Sequence, residues 1–267
     1  MKILGSTISF THLPLDQALS ELAAIGFSQV DILCVHNWAH LNLIDIVGIE
    51  EEKASEIQSM LDGLNMNVLA MNGAVSHKIN TKGEAEQGQV IEEAKALGKL
   101  ARHLDVSRLT FQPGSKEAGD SLEESLQLCV QIFSRVVDAI GGDDLAVSFE
   151  PHCNSIVETY EAMKVMLDEV SGLTVTYDPS HFIMMGWDLR ESEFLFERTS
   201  NVHLRDAVNG NLQVPMGEGE VDFKWVIDGL KANGYDDSIS LEYIHSEEQD
   251  VTKDKLKLRE LLEELLQ

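Results

Sequence analysis

Basic residues are scarce in this chain. Lysine and arginine number 20 against 46 aspartates and glutamates, and the formal net charge is −26 at pH 7. Nucleic acids and anionic membranes are both bound through basic surfaces. The composition therefore argues against either as a partner, and it is compatible with a small, neutral or weakly charged substrate and with attraction of cations.

Cysteine and long apolar runs are also scarce. The three cysteines, Cys34, Cys129 and Cys153, form no CxxC pair. Their odd number and wide spacing argue against a disulfide framework and predict a reducing, cytoplasmic location. No apolar run approaches the roughly 20 residues that span a bilayer. Residues 1–10 hold a single lysine and no small-residue cleavage site, so they are predicted to be a strand rather than a signal peptide.

What the sequence does contain is a regular alternation of short β-branched or apolar segments with longer segments of helical periodicity. Eight such units can be counted. The predicted strands are Ile3–Ser6, Gln29–Leu33, Asn67–Met71, Arg108–Phe111, Leu145–Phe149, Leu173–Tyr177, Asn201–Leu204 and Ser238–Glu242. The predicted helices are Pro14–Ile25, Gly48–Leu64, Glu84–His103, Leu122–Ile140, Thr159–Val170, Asp188–Arg198, Phe223–Asn233 and Val251–Leu265.

Eight strand–helix units in 267 residues predict a closed parallel (β/α)8 barrel that forms a single domain over residues 1–267. An open nucleotide-binding sheet would carry a glycine-rich turn after its first strand. Residues 6–9 read Ser-Thr-Ile-Ser instead, with no GxGxxG. We therefore expect an α/β barrel with its helices outside.

Acidic and imidazole side chains stand at the ends of the last four predicted strands. Glu150, Asp178, His203 and Glu242 occupy equivalent positions there. Because the carboxyl ends of barrel strands meet at one face, these side chains should converge. Three carboxylates held together would repel one another unless a cation joined them. The sequence therefore predicts one divalent ion, of manganese, magnesium, cobalt or zinc, with coordination positions left for substrate oxygens.

These residues and the segments around them carry a family resemblance. The segments are EPHCNS at residues 150–155, YDPSHF at 177–182, HLR at 203–205 and GEGEVDF at 217–223, together with Glu242. Over nearly the whole chain they resemble the xylose isomerase-like barrel superfamily. Its members include sugar and sugar-phosphate isomerases and epimerases, ketose 3-epimerases, hydroxypyruvate isomerase, inosose dehydratase and endonuclease IV.

The resemblance implies a metal-dependent enzyme that isomerises or epimerises a sugar-like substrate through an enediolate. It assigns the metal to Glu150, Asp178, His203 and Glu242. It makes Glu150 and Glu242 the groups that exchange a carbon-bound proton. It also places His181 and Arg205 against substrate oxygens near the metal.

Two further residues are candidate substrate contacts on their position alone. His152, two residues after Glu150, is a substrate ligand, an acid/base or a partner of the metal ligands. Glu218 lies in a glycine-flanked loop that could close over substrate, or in a simple surface turn. An alternative interpretation of Arg205 is that it forms a salt bridge with Asp206 at the barrel rim. An alternative interpretation of His181 is that it lies beside the N-cap of the next helix.

Three other functions fit the same scaffold. A dehydratase acting on an inosose or a 3-dehydro acid would share the proton abstraction. An endonuclease IV-like nuclease needs extra metal ligands from the early strands, whose tips offer only His36 and His77, and a basic face. A non-catalytic sugar-binding barrel would not need all four predicted ligands. The sequence leaves open a homo-oligomer.

Overall fold

The computed structural model describes residues 1–116 and 119–267. Within these residues eight parallel strands close into a barrel, which confirms the predicted fold class. The barrel strands are β1 Lys2–Ser6, β2 Gln29–Val35, β3 Asn67–Ala74, β4 Arg108–Phe111, β5 Ala146–Phe149, β6 Leu173–Tyr177, β7 Thr199–Leu204 and β8 Ser238–Leu241.

The barrel closes because β1 pairs with strands on both of its sides. Gly5 lies opposite Val30 of β2 and opposite Leu241 of β8, in parallel register with each. After β2 the chain turns back and adds a two-residue antiparallel strand, Ala39–His40, to the end of β2. This short strand was not predicted, and it folds the loop after β2 toward the barrel mouth.

Helices surround the barrel. They are α1 Leu15–Ala24, α2 Glu50–Leu64, α3 Glu84–His103, α4 Leu122–Ile140, α5 Tyr160–Glu169, α6 Pro179–Met184, α7 Phe223–Ala232 and α8 Val251–Leu265. Their apolar faces pack on the strands and form one continuous core with them. Among the helices that the described residues form, none has the length and apolar character needed to cross a membrane.

The connection between β6 and β7 differs from the prediction. The expected helix Asp188–Arg198 is a 3-10 helix over Leu189–Arg198, and the extra helix α6 precedes it. Helix α6 begins directly after β6 because Asp178 accepts a hydrogen bond from the backbone N of Ser180, at 2.9 Å, and Pro179 occupies the first turn. Both are helix-start signals, so the Asp-Pro-Ser sequence could have revealed this helix.

The interior of the barrel below its mouth is polar. Thr176 Oγ1 lies 2.7 Å from Thr110 Oγ1 and 2.6 Å from Ser148 Oγ, and Asn201 Nδ2 donates to Thr110 Oγ1 at 3.1 Å. All four side chains are buried. Barrel interiors are usually filled by branched apolar residues. In this barrel, hydroxyl and amide groups instead form a hydrogen-bonded layer of side chains beneath the strand ends.

Helix α7 packs against the 3-10 helix at a glycine, which yields a stability prediction. A Cβ on Gly229 would lie 2.2 Å from Cε2 of the buried Phe196. We expect Gly229→Ala to destabilise the fold by about 1–3 kcal/mol, since the ring is packed in and overpacking costs that much. Urea unfolding followed by circular dichroism measures the change.

The matched control is Gly88→Ala in helix α3. No heavy atom of the described residues outside the helix's own backbone and chain neighbours lies within 4 Å of a Cβ added there. Helix propensity alone should then raise the stability, by roughly 0.5–1 kcal/mol. Equal shifts in the two variants would contradict the close packing of Gly229.

Candidate functional site

The four residues predicted at the strand ends converge in the structure. Glu150 follows β5, Asp178 follows β6, His203 lies in β7 and Glu242 follows β8. All four are at most 3% exposed. Ligand atoms of Glu150, His203 and Glu242 lie within 4.8 Å of one another, and so do those of Glu150, Asp178 and His181. The C-terminal mouth of the barrel thus holds a buried cluster of acids and imidazoles.

His203 is the centre of this cluster. Its Nδ1 lies 2.7 Å from Oε1 of Glu150 and 3.3 Å from Oε1 of Glu242. Its Nε2 lies 3.4 Å from Oδ2 of Asp31 and 3.1 Å from Nδ2 of Asn201. One ring nitrogen therefore faces the two glutamates, and the other faces into the barrel.

Arg205 joins two of the acids. Its Nη2 lies 2.5 Å from Oδ2 of Asp178 and 2.9 Å from Oε2 of Glu242. Its Nε donates to Ser180 Oγ at 3.0 Å, and its Nη1 donates to the Glu242 carbonyl oxygen at 3.0 Å. The guanidinium thus fixes the ends of β6 and β8 relative to each other. It pairs with these acids rather than forming the rim pair with Asp206.

Burial and neighbouring charges shift the pKa values of Glu150 and Glu242 in opposite directions. Burial raises the pKa of Glu150 to about 7, against the opposing charge of His203. Burial also acts against ionisation of Glu242, but His203 and Arg205 outweigh it and lower the pKa of Glu242 to about 2. Burial disfavours a charged His203 as well, yet Glu242 and Glu150 raise its pKa well above its usual value. Two carboxyl groups with pKa values pushed apart are a common basis of acid–base chemistry.

A cavity of about 250 Å³ opens onto the cluster. Its lining includes the charged residues Glu150, Arg205 and Glu242 and apolar residues such as Leu33 and Trp38. A cavity with apolar walls and a few convergent polar groups is typical of a small-molecule site.

His181 and His152 also line this cavity, with their ring centroids 5.6 Å apart. His181 lies on helix α6, and burial lowers its pKa to about 3. Within the described chain, neither Nδ1 of His181 nor Nε2 of His152 has a hydrogen-bond partner, although both atoms are buried. Buried polar atoms are almost always satisfied, so these two atoms are suited to meet a ligand.

Glu218 lies away from these residues. It is exposed, in a turn where its backbone N donates to the Pro215 carbonyl oxygen at 2.9 Å. The turn is held by Asp206, whose Oδ2 accepts from the backbone N of Gly217 at 2.9 Å and of Gly219 at 3.0 Å. The structure therefore does not bring Glu218 into the cluster, and Asp206 shapes the loop after β7.

Sequence reasoning missed Asp31 and Lys255. Asp31 is fully buried in β2, and its Oδ2 accepts from Ser240 Oγ at 3.0 Å beside His203. Lys255, fully buried on α8, donates to the Ser6 carbonyl oxygen at 3.0 Å, and burial lowers its pKa to about 7. An acid inside the apolar run Val-Asp-Ile-Leu was a usable signal for Asp31, because such residues are almost never buried without a partner. The amphipathic pattern of α8 gave no such signal for Lys255.

The donor set fits a divalent cation. Glu150, Asp178 and Glu242 offer carboxylate oxygens and His203 offers Nδ1, which are ligand types that manganese, zinc and related ions accept. With the buried Asp31 there are four acids here, and the positively charged side chains beside them are Arg205 and His203. Burial is the main cause of the raised pKa of Glu150, and repulsion from Glu242 and Asp178 adds to it; a cation among the acids would relieve that repulsion.

The fold and this cluster define a (β/α)8 barrel with a metal-competent centre at the carboxyl ends of its strands. A family model described as "Xylose isomerase-like TIM barrel" matches residues 19–265. The chain therefore belongs to the xylose isomerase-like TIM barrel family. A comparison with curated protein sequences found no significant match.

Solved structures share the fold over the whole chain. A D-tagatose 3-epimerase-like protein is 18% identical with a TM-score of 0.79, covering 100% of this chain and 97% of that one. An IolI protein with a bound zinc atom is 19% identical with a TM-score of 0.74, covering 99% and 98%. A probable 3-DHS dehydratase, AsbF from Bacillus anthracis, is 19% identical with a TM-score of 0.74, covering 97% and 99%.

Proposed function

We propose that this protein is a divalent-metal-dependent isomerase or epimerase of a sugar or sugar-phosphate-like substrate, acting through an enediolate. The observation that carries the proposal is that Glu150 and Glu242 lie 2.7 Å and 3.3 Å from the same nitrogen of His203, at the wall of one cavity. Two carboxyl groups beside one substrate can remove a carbon-bound proton and return it. The D-tagatose 3-epimerase-like relative supports this reaction class.

Glu150, Asp178, His203 and Glu242 would hold the metal. When bound, a dication stabilises negative charge that develops on substrate oxygen as the neighbouring carbon loses its proton. The IolI structure, which contains a bound zinc atom, supports the proposal that this protein binds a metal ion. The donor types leave manganese, magnesium, cobalt and zinc as candidates.

The remaining residues would bind and orient the substrate. Arg205 is held in place by Asp178 and Glu242 and also lines the cavity, where it can meet a substrate oxygen. His181 and His152 offer their unsatisfied ring nitrogens to substrate hydroxyls. Glu218 stays a prediction from the loop sequence, and it would reach substrate only if the loop held by Asp206 moved. The proposed partner is a small sugar-like molecule in the cytoplasm, with neither nucleic acid nor membrane involved.

A dehydratase is the second candidate. Glu150 holds a proton near neutral pH because burial raises its pKa to about 7, and such an acid beside a hydroxyl can protonate it as water leaves. The probable 3-DHS dehydratase among the relatives fits this alternative. The two reactions share the proton abstraction and differ in their product. A conjugated enone absorbing in the ultraviolet would indicate dehydration, and a sugar epimer or isomer would indicate the leading proposal.

Solvent exchange of a carbon-bound proton tests the proposal directly. With manganese and a panel of ketoses in deuterium oxide, we expect deuterium at the carbon next to the carbonyl. Glu150→Gln and Glu242→Gln should each slow this exchange by about 100- to 10,000-fold, because a positioned acid/base contributes that much. Proton NMR of the sugar measures the rate.

The matched control is Glu260→Gln on the exposed face of α8, which removes the same charge from a residue that does not line the cavity. It should exchange like the unaltered protein. Absence of exchange for every ketose with each candidate metal would reject the epimerase proposal.

Metal binding should release protons. In the metal-free protein Glu150 titrates near pH 7 and His203 holds its proton above its usual pKa, whereas the ligands must be deprotonated to bind metal. Affinity for manganese should therefore rise with pH between about 6 and 8, by up to roughly tenfold per unit for each proton released. Calorimetric titrations in two buffers of different ionisation enthalpy count the protons. An affinity that stays constant over this range would contradict the assignment.

Asp31 should support metal binding through His203. With an ion on Nδ1 the ring proton lies on Nε2, where the Asp31 carboxylate, 3.4 Å away, is the available acceptor. The donor Nδ2 of Asn201, 3.1 Å from Nε2, can bond to that nitrogen only in the other tautomer. Loss of a hydrogen bond between a carboxylate and a metal-bound histidine typically lowers metal affinity by about 10- to 100-fold, which is the effect we expect of Asp31→Asn. Asp236→Asn, at an exposed position, is the control. Unchanged manganese affinity in Asp31→Asn would show that Asp31 does not position the ring.

A further inference from the structure

A second cavity adjoins the one at the charged cluster. It measures about 260 Å³ and lies among the residues that end β3 and β4 and begin the loops after them. Gln112 and His152 line both this cavity and the one at the cluster. The two spaces therefore lie side by side, with these two side chains at their boundary.

We propose that the second cavity is a subsite for a second hydroxylated unit, so that the substrate is a glycosylated keto sugar rather than a free monosaccharide. This inference rests on the proposed sugar isomerase or epimerase function. It names the substrate class for that site. The keto sugar would occupy the cavity at the cluster, and its glycosyl unit would lie beyond Gln112 and His152.

The chemistry of the lining supports a polyhydroxyl occupant. Ser115 and Gln112 offer a hydroxyl and an amide group, which both donate and accept hydrogen bonds as sugar hydroxyls do. The Ser76 hydroxyl donates to Glu93 and accepts from Gln89 Nε2 at 3.0 Å, so it holds the wall of the cavity. The buried carboxylate of Glu93 lies directly behind Ser76 and accepts from its backbone N at 2.7 Å. His77 and Lys78 also line the cavity beside Ser76.

Buried polar side chains hold the walls of this cavity in place. Asn80 is 5% exposed. Its Nδ2 donates to the Ser115 carbonyl oxygen at 3.0 Å, and its Oδ1 accepts from the backbone N of Ser115 at 3.2 Å. Gly114 has a φ of +86°, and a Cβ there would lie 2.5 Å from Oδ1 of Asn80. Glu93 fixes the opposite wall through Ser76. Both loops are thus tied to buried anchors, as expected of a preformed site.

His152 at the boundary supplies an unsatisfied atom. Its Nδ1 lies 2.9 Å from the Cys153 carbonyl oxygen, which can only accept, so Nδ1 carries a proton. Its other nitrogen, Nε2, is buried, and none of the residues that the structure describes bonds to it. A hydroxyl of a ligand that spans both cavities would satisfy this atom.

Binding of paired sugars tests the subsite. The probes are D-fructose and three glucosyl-fructoses joined through O3, O5 or O6 of the fructose, titrated into the manganese-loaded protein by calorimetry. At least one disaccharide should bind about tenfold more tightly than fructose, the factor expected of one or two additional hydrogen bonds. If none of the three binds more tightly than fructose, the subsite is wrong.

Variants of the second cavity test whether the preference for a disaccharide over fructose arises there. Ser115→Tyr should fill the second cavity and reduce the ratio of disaccharide to fructose affinity to about one. Ala74→Leu, which narrows the same cavity from β3, should also reduce it, and it serves if the tyrosine variant does not fold as judged by thermal melting. Ser55→Tyr on the exposed face of α2 is the matched control and should keep the full ratio. A ratio that survives both cavity variants would overturn the proposal.

The two proposals fail separately. Deuterium exchange at the sugar carbon reports the isomerase or epimerase chemistry, and the affinity ratio reports the subsite. A disaccharide preference without exchange would reject the reaction and keep the subsite. Exchange without a preference would reject the subsite and keep the reaction.

Discussion

The mouth of this barrel depends on the pairing of buried acids with two cationic groups. Asp31, Glu150, Asp178 and Glu242 are nearly inaccessible to solvent, and Arg205 and His203 are the cationic groups in contact with them. An ion taken out of water costs several kcal/mol unless it is paired and hydrogen-bonded. The ends of β5, β6 and β8 each contribute one acid, β7 contributes both cationic groups, and β2 contributes Asp31. The arrangement is therefore a poor way to gain stability and a good way to hold charges in fixed positions.

This requirement extends below the mouth. His203 can keep its orientation only if its inner nitrogen has polar neighbours, and Asp31 and Asn201 provide them. Asn201 in turn donates to Thr110, which is bonded to Thr176. A layer that other barrels fill with branched apolar side chains is thus a hydrogen-bonded network. Apolar packing inside the barrel is replaced by groups that orient the ring above them.

The fold could be predicted closely because hydrophobic periodicity is a local property. The bounds of α3, Glu84–His103, and of α4, Leu122–Ile140, agree with the sequence-based prediction. Convergence of Glu150, Asp178, His203 and Glu242 followed from topology, since parallel strand ends meet at one face. What escaped prediction depends on distances between strands that are far apart in sequence. The pairing of Arg205 with Glu242, the place of Asp31 beneath His203 and the distance of Glu218 from the cavity are of this kind.

The two halves of the barrel mouth have different tasks under this interpretation. The ends of β5 to β8 carry charged groups that hold one another in position, so substitutions there disturb several partners at once. The cavity lining at the ends of β3 and β4 includes small residues and neutral polar groups such as Ala74, Ser115 and Gln112, which can change with less effect on those charges. An antiparallel bridge between Ser115 and Ser155 links the loop after β4 to the loop that follows Glu150 and His152. Because this bridge connects the two halves, a change in the shape of the second cavity would also shift His152. Binding of a distal sugar unit would then be coupled to the placement of the reacting carbon.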